Sequence, residues 1–174
     1  MSPTLAEVSE EEVLATILPL LPRRAQDPVG PGDDAAVLAT AGRLIATTDT
    51  MVRGRDWLDE WSSPAEVAGK CLTQNLADVA AMGGRPTSVL VTIVADPATP
   101  MWWVGEFAQA LGREAAAAGV GVAGGDLSSA PVGTLVVSVV AFGELDGVEP
   151  VLRSGARAGD IVAVAGSLGR SAAG

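Results

Sequence analysis

Several acidic and hydroxyl side chains lie where the sequence predicts turns and strand ends, and they are the first candidates for chemistry. Asp33 and Asp34 follow a glycine-rich turn in VGPGDDAAVL. Asp49 ends an apolar run within TTDT, beside the hydroxyl groups of Thr47 and Thr48. Oxygen atoms of this kind are the ligands that Mg²⁺ and Ca²⁺ prefer. These two segments therefore indicate a divalent-cation site.

Two further aspartates extend this set. Asp78 lies in a predicted helix, on the face shared by Gln74 and Asn75. Asp126 follows a Gly-Gly turn. Each position also has an ordinary structural interpretation, as a solvated acidic turn, a strand-end cap, a polar helix stripe or a simple turn. Taken together, they favour a site in which several Mg²⁺ ions hold a polyphosphate, because metals can bridge carboxylates to phosphates.

Composition restricts the chemistry and the partners. The chain has 174 residues, a net charge of −10 and no histidine. The charge disfavours binding to nucleic acid, and the absence of histidine removes the Ser–His–Asp and Cys–His mechanisms. The single cysteine, Cys71, is interpreted as a buried structural thiol. Because the sequence shows neither a secretory signal nor an apolar run of membrane-spanning length, we expect a cytoplasmic protein.

Hydrophobic patterning predicts an α+β fold in which helices cover one face of a sheet. The strands at 87–95 and 134–143 are apolar on both alternating faces, which indicates burial on both sides, either inside the chain or against a partner. A homodimer formed through the sheet is one hypothesis. A hairpin through Ala41-Gly42 is expected between the first two strands. The predicted helices are 10–20, 64–82 and 101–119, and the predicted strands are 35–40, 43–49, 87–95, 120–126, 133–145 and one within 153–167.

The sequence does not support either of two common nucleotide-binding motifs. GVGVAG at 119–124 matches G-x-G-x-x-G, but a helix precedes it and a strand overlaps it, which is the reverse of the dinucleotide-binding arrangement. The only lysine, Lys70, lies in the middle of a predicted helix and belongs to no P-loop. The four tryptophans do not form a base-stacking platform with basic neighbours and are interpreted as core and interface residues.

Five segments, in this order, resemble the thiamine-monophosphate kinase family, which is part of a wider group similar to aminoimidazole ribonucleotide synthetase. The resemblance implies a mixed or antiparallel sheet that dimerises into a barrel, with residues 1–150 as a metal- and ATP-binding domain. Residues 151–174 would be a linker and the beginning of a second α/β domain, with about 130–150 further residues expected. The segments are GPGDDAAVL, ATTDTMVRGRDW, KCLTQNLADVAAMGGRP, GVAGGDLSSA and RSGARAGDIVAVAGSLGRSAAG.

The same resemblance implies ATP-dependent phosphorylation of thiamine monophosphate to thiamine diphosphate, the last step of thiamine diphosphate biosynthesis, by direct in-line transfer. Asp56 stands where many members carry a substrate-contacting histidine. No side chain need act as a base, because the acceptor is already a phosphate. The implied Mg²⁺ ligands are Asp34, Thr47, Thr48, Asp49, Asp78 and Asp126, and the implied ATP contacts are Gly125, Asp126 and Arg153.

Three alternatives remain open at this stage. The chain could belong to another ATP-dependent enzyme of the same group, or it could be a dimeric fragment without catalytic activity. If the chain is complete as given, we expect little or no kinase activity. A Ca²⁺-binding module is the third alternative, but the spacing D-x-[DN]-x-[DN]-G is missing from the sequence.

Overall fold

The part of the chain that the structure describes forms a four-stranded mixed sheet and three α-helices, which confirms the predicted α+β class. The computed structural model describes residues 2–31 and 35–169. The helices are α1 (Glu10–Ile17), α2 (Pro64–Ala81) and α3 (Met101–Ala117), with 3₁₀ turns at Leu18–Leu20 and Arg153–Gly155. The strands are β1 (Arg43–Val52), β2 (Arg85–Ala95), β3 (Gly121–Ser129) and β4 (Leu135–Leu145).

The strand order in the sheet is β1-β4-β2-β3, so β1 and β3 are the two edges. β4 pairs antiparallel with both β1 and β2. β3 pairs parallel with β2, and α3 supplies the crossover that a parallel pair requires. Helix α2 packs on β1, β4 and β2, while α3 packs on β3 and α2. The two strand edges are therefore separated by the full width of the sheet.

Helices α1 and α2 begin where the sequence predicts. Ser9 with Glu12 and Ser63 with Glu66 each form the reciprocal hydrogen bonds of a capping box. Pro64 occupies the first turn of α2, where its missing N–H costs nothing. The first helix ends earlier than predicted, at Ile17, and continues as a 3₁₀ turn that contains a proline.

Helices pack on only one of the two faces of the sheet in the described residues. Along β4, fully buried residues such as Val137 and Val139 alternate with half-buried ones such as Val140. Since successive strand residues point to opposite faces, the buried set lies under the helices and the other set forms a second face, here called the open face. The central strands contribute Leu90, Thr92, Val94, Val136, Ser138, Val140 and Phe142 to the open face, and β1 contributes Thr48 and Thr50.

A bulge interrupts the pairing of β3 with β2. Val89 pairs with Val122, but the next residue of β2, Leu90, pairs with Gly124. Ala123 is therefore the extra residue, and it shifts the alternation of every later residue in β3 by one position. As a result, Asp126 pairs in register with Thr92 and belongs to the open face.

Two predicted strands are wrong. Residues 35–40 form only an isolated bridge between Val37 and Val29, so the expected hairpin through Ala41-Gly42 is not present. Within the described part of 153–167 there is a 3₁₀ turn and no strand, and Ile161 and Val162 are 92% and 93% exposed. An apolar alternating sequence becomes a strand only when a neighbouring edge can pair with it. Neither segment pairs with a strand of the described sheet.

The tryptophans only partly follow the core interpretation. Trp57, Trp103 and Phe107 stack in the core, with ring centroids separated by 6.4 Å and 5.5 Å. Trp61 and Trp102, in contrast, are 79% and 52% exposed. Cys71 is fully buried, in agreement with its interpretation as a structural thiol.

Burial of Cys71 predicts a loss of stability in alkali. Burial, reinforced by the charge of Asp49, raises the pKa of the Cys71 thiol to about 12. The unfolded chain releases this proton near pH ~8.5 while the folded chain keeps it, so stability falls as pH rises between these values, by on the order of 2 kcal/mol near pH ~10.5. Urea unfolding across this pH range measures the effect. The variant Cys71→Ala should show a flatter dependence, and an unchanged slope would contradict the assignment.

Candidate functional site

A group of polar side chains joins helix α2 to the edge strand β1. Thr47 Oγ1 donates a hydrogen bond to Asp78 Oδ2 at 3.3 Å. The backbone N–H of Asp49 donates to Asn75 Oδ1 at 3.0 Å, and Asn75 Nδ2 donates to the carbonyl oxygen of Cys71 at 2.9 Å. We call Thr47, Asp49, Asn75 and Asp78 the α2–β1 cluster. It brings together three of the residues that the sequence assigned to metal binding.

Local geometry explains why these side chains meet. Thr47 and Asp49 are two residues apart on β1 and so point to the same face, which α2 covers. Asn75 and Asp78 are three residues apart and so share one side of the helix. At Gly143 of β4, a Cβ atom would overlap the Val79 side chain, so the glycine allows the C-terminal part of α2 to approach the sheet closely.

The chemistry of the α2–β1 cluster fits a hard cation. Its two carboxylates and one hydroxyl are oxygen donors, and neither Asp49 nor Asp78 forms a salt bridge with a cationic side chain in the described part of the chain. Within residues 2–31 and 35–169 no group of three His, Cys, Asp or Glu side chains could by itself hold a metal ion. The cluster would therefore need further ligands, such as phosphate oxygens or water.

Thr48 and Asp126 lie away from the α2–β1 cluster. Thr48 points to the open face, and its Oγ1 donates to the carbonyl oxygen of Val139 at 3.0 Å. Asp126 is also on the open face, but on β3 at the opposite edge of the sheet. Three strand spacings separate β1 from β3, which corresponds to roughly 14 Å. One chain alone does not bring Asp126 next to Asp49 and Asp78.

Asp126 instead lines a cavity of about 920 Å³ at the edge of the sheet, here called the β3 cavity. Gly124 and Gly125 lie beside it, and a Cβ atom at Gly125 would overlap the carbonyl oxygen of Val91, so only glycine fits there. Ser128 donates a hydrogen bond to Asp126. Most of the remaining lining is apolar and comes from α1, α3 and the sheet.

The glycine-rich loop of the opening motif reaches the same cavity. Gly30 and Pro31 on one side, and Ala35 and Ala36 on the other, line the β3 cavity. Asp33 and Asp34 lie outside the described residues. Five of the predicted site residues thus fall into two groups: Thr47, Asp49 and Asp78 at the α2–β1 cluster, and Gly125 and Asp126 at the β3 cavity.

The remaining predicted contacts, Asp56 and Arg153, lie outside both groups. Asp56 Oδ2 accepts a hydrogen bond from the backbone N–H of Val52 at 2.7 Å and so closes a turn. Its carbonyl oxygen accepts from Lys70 Nζ at 2.8 Å. Arg153 is exposed, and the N–H of nearby Val151 donates to the carbonyl oxygen of Met82 at 3.0 Å, just beyond the C-terminal end of α2.

Sequence reasoning did not identify the linking roles of Asn75 and Lys70. A signal for Asn75 was present, since asparagine is a poor helix former yet lies in the middle of a long helix. Its complete burial explains the choice, because its amide satisfies two backbone groups at once. Lys70 is four residues before Gln74 and so extends the polar side of α2 towards the turn at Asp56.

Family comparison agrees with this fold and these motifs. Residues 32–145 match the family described as AIR synthase related protein, N-terminal domain. The matched segment covers more than half of the chain and includes all four strands and the two long helices. The chain belongs to this family.

Within this family, the chain is similar to curated thiamine-monophosphate kinases. The chain is 42% identical over 174 residues to thiamine-monophosphate kinase of Mycobacterium tuberculosis, covering 99% of this chain and 52% of that protein. It is 37% identical over 176 residues to the enzyme of the same name in Corynebacterium glutamicum, covering 99% of this chain and 51% of that protein. The chain therefore spans about half the length of these curated relatives.

Solved structures of similar proteins carry the same name. Thiamine monophosphate kinase from Aquifex aeolicus superposes with a TM-score of 0.61 at 28% identity, covering 71% of this chain and 40% of that one. A structure described as AaThiL complexed with AMPPCP and TMP superposes with a TM-score of 0.56 at 28% identity, covering 64% of this chain and 35% of that one.

Helix length and polarity give a separate result on membrane insertion. In the part of the chain that the structure describes, no helix combines the length and the apolar character needed to cross a bilayer.

The buried amide of Asn75 gives a direct test of the link between α2 and β1. Asn75→Ala should lower the free energy of unfolding by about 1–3 kcal/mol, because the N–H of Asp49 loses its partner. Gln74→Ala is the matched control, since Gln74 is exposed and its loss should change stability by less than about 0.5 kcal/mol. Urea unfolding of both variants measures the difference, and equal effects would contradict the role of Asn75.

Proposed function

We propose that this chain supplies the nucleotide- and metal-binding part of an enzyme that phosphorylates thiamine monophosphate with ATP to give thiamine diphosphate. The observation that carries the proposal is the 42% identity to a thiamine-monophosphate kinase along 99% of this chain. The similar structure described as AaThiL is complexed with AMPPCP, an ATP analogue, and TMP, which supports the same pair of ligands here. The reaction would be the last step in making thiamine diphosphate.

The α2–β1 cluster is assigned to metal binding. Asp49 and Asp78 would hold Mg²⁺, with Thr47 fixing the orientation of the Asp78 carboxylate through its hydrogen bond. When bound, Mg²⁺ supplies positive charge that neutralises the phosphate oxygens during transfer. This assignment reconciles a net charge of −10 with an anionic substrate.

The other predicted site residues are assigned to nucleotide, metal or substrate binding. Gly125 would allow the nucleotide to approach the backbone of β3, and Asp126 would contribute a carboxylate at the β3 cavity. Asp34 stays a proposed metal ligand, and Arg153 a proposed contact to ATP. Asp56 is proposed to shape the substrate site through the turn that it closes, since one of its carboxylate oxygens already accepts a backbone hydrogen bond.

Among the proposed metal ligands that the structure describes, Thr48 has the least structural support. Its hydroxyl donates to the carbonyl oxygen of Val139 on the face of the sheet opposite to Asp49. A hydroxyl can still offer a lone pair to a cation while it donates a hydrogen bond. If Thr48 binds a metal, that metal would have to lie on the open face.

A homodimer formed through the open face would explain why the two groups of site residues are apart. The open face carries half-buried apolar side chains such as Leu90, Val140 and Phe142. Both β1 and β3 also present an unpaired edge within the described sheet. An eight-stranded barrel that paired β1 of one protomer with β3 of its partner would bring an α2–β1 cluster and a β3 cavity together.

Domain organisation is proposed on the same basis. Residues 1–150 would form the metal- and ATP-binding domain that also dimerises, and 151–174 would be a linker leading towards a second α/β domain. The high exposure of Ile161 and Val162 supports this view, because apolar side chains of this kind usually pack against a partner surface. We place the enzyme in the cytoplasm.

The role of Asp78 can be tested in the complete gene product. Asp78→Asn should lower Mg²⁺-dependent phosphate transfer from ATP to thiamine monophosphate by more than about a hundredfold, because one charge that holds the metal is lost. The unfolding midpoint should change little, since Asp78 is exposed and the hydrogen bond to Thr47 can persist. Asp146→Asn, at an exposed aspartate paired with Arg85, is the control. Near-normal turnover by Asp78→Asn would refute the metal assignment.

The dimer can be tested with two matched valine variants. Val140→Glu introduces a charge on the open face and should convert a dimer into a monomer in sedimentation experiments at micromolar concentration. Val132→Glu places the same charge at a position that is 92% exposed in a loop and should leave the dimer intact. A monomeric wild-type chain, or equal behaviour of the two variants, would count against association through the open face.

A further inference from the structure

A buried ion pair lies next to the glycine-rich loop, where the sequence gave no indication of one. Arg24 Nη1 and Asp27 Oδ1 are 3.3 Å apart, and both side chains are only 8% exposed. The same Arg24 nitrogen also lies 3.3 Å from the carbonyl oxygen of Ala39 and 3.4 Å from Ser88 Oγ. Asp27 Oδ1 accepts from the N–H of Ala39 at 3.0 Å, and Ser88 Oγ donates to Asp27 Oδ2 at 3.4 Å.

These contacts close the loop at its base. Both backbone polar groups of Ala39 bond to the pair, so the chain that leaves at Asp27 returns to the same point. Ser88 anchors this point to the beginning of β2. The neighbouring strand β3 begins at Gly121, where a Cβ atom would collide with Arg24, so the glycine makes room for the arginine.

Both described ends of the loop face the β3 cavity. Its first half, at Gly30 and Pro31, and its second half, at Ala35 and Ala36, both line the cavity that contains Asp126. Arg23 holds the first half as well, because its Nη2 donates to the carbonyl oxygen of Pro31 at 3.2 Å. Apart from these contacts and the single bridge between Val29 and Val37, few hydrogen bonds hold the described part of this loop.

We propose that Arg24 and Asp27 are positioning residues, whose ion pair sets the distance between the glycine-rich loop and the Gly125-Asp126 segment of β3. This inference rests on the proposed function, in which the β3 cavity receives the metal-bound nucleotide. The pair contacts neither ligand nor metal. It acts by fixing the base of the loop, at Asp27 and Ala39, against β2 and β3, which lowers the ordering cost of nucleotide binding at the described ends of the loop.

Stability alone does not explain the pair. Removing two charges from water is costly, and apolar side chains of similar size are often at least as stable in such positions. Loops normally run over the surface and are mobile, whereas this loop is held at its base by a buried ion pair with five contacts. What the charges provide is a directional connection between three separated parts of the chain.

Asp96 offers a matched control. It is also buried, at 7% exposed, and its carboxylate accepts from the N–H of Ala98 at 2.8 Å and the N–H of Gly133 at 2.6 Å. It therefore joins two chain segments in the same manner as Asp27. Neither Asp96 nor its partners line the β3 cavity.

The experiment compares Asp27→Asn with Asp96→Asn in the complete gene product. The dissociation constant for Mg²⁺–AMPPCP is measured by calorimetry, and the exchange of backbone amides in 28–39 is measured in the absence of ligand. For Asp27→Asn we expect at least tenfold weaker binding and at least tenfold faster exchange at Ala39. For Asp96→Asn we expect a dissociation constant within twofold of wild type, even if its unfolding midpoint falls as far as that of Asp27→Asn.

Two arginine variants keep the test decisive if Asp27→Asn does not fold. Arg24→Lys retains the charge and should bind Mg²⁺–AMPPCP more tightly than Arg24→Met, which removes it. Equal binding by these two variants, or equal losses in Asp27→Asn and Asp96→Asn, would overturn the positioning role. A wild-type protein that does not bind Mg²⁺–AMPPCP would instead overturn the proposed function, whatever the exchange rates show.

Discussion

One buried amide determines how helix α2 lies on the sheet. Asn75 accepts from the N–H of Asp49 on the edge strand and donates to its own helix at Cys71. An edge strand has outward N–H groups that no further strand of the described sheet satisfies, and this amide provides a partner for one of them on β1. With the helix fixed in this way, Thr47 and Asp78 come into contact one turn further along. Two elements that are distant in sequence thus offer oxygen donors at a fixed separation, which a metal site needs.

The local features could be predicted from sequence because they depend on neighbours along the chain. Two capping boxes and the burial of Cys71 belong to this class. The face shared by Asn75 and Asp78 follows in the same way from helical spacing. The predicted strands at 35–40 and within 153–167 were wrong because an apolar run becomes a strand only when a neighbouring strand pairs with it. Neither segment pairs with the described sheet.

The candidate site was predictable only in part, for the same reason. The chemistry of its residues is visible in the sequence, but their grouping depends on the strand order β1-β4-β2-β3, which no local pattern encodes. Asp49 and Asp126 therefore appeared equivalent, although they lie at opposite edges of the sheet. The buried Arg24–Asp27 pair was missed because both residues look like ordinary surface charges until the loop is closed around them.

The bulge at Ala123 has a consequence for how this site could arise or be lost. Side chains on a strand alternate between two faces, so a single extra residue exchanges the inward and outward sets for the rest of β3. Deleting one codon at this position would turn the Asp126 carboxylate towards the helices and the neighbouring Leu127 towards the open face. The strand could keep its length and most of its hydrogen bonds, yet a charge would enter the core. Insertions and deletions in β3 are thus expected to be tolerated in pairs far better than singly.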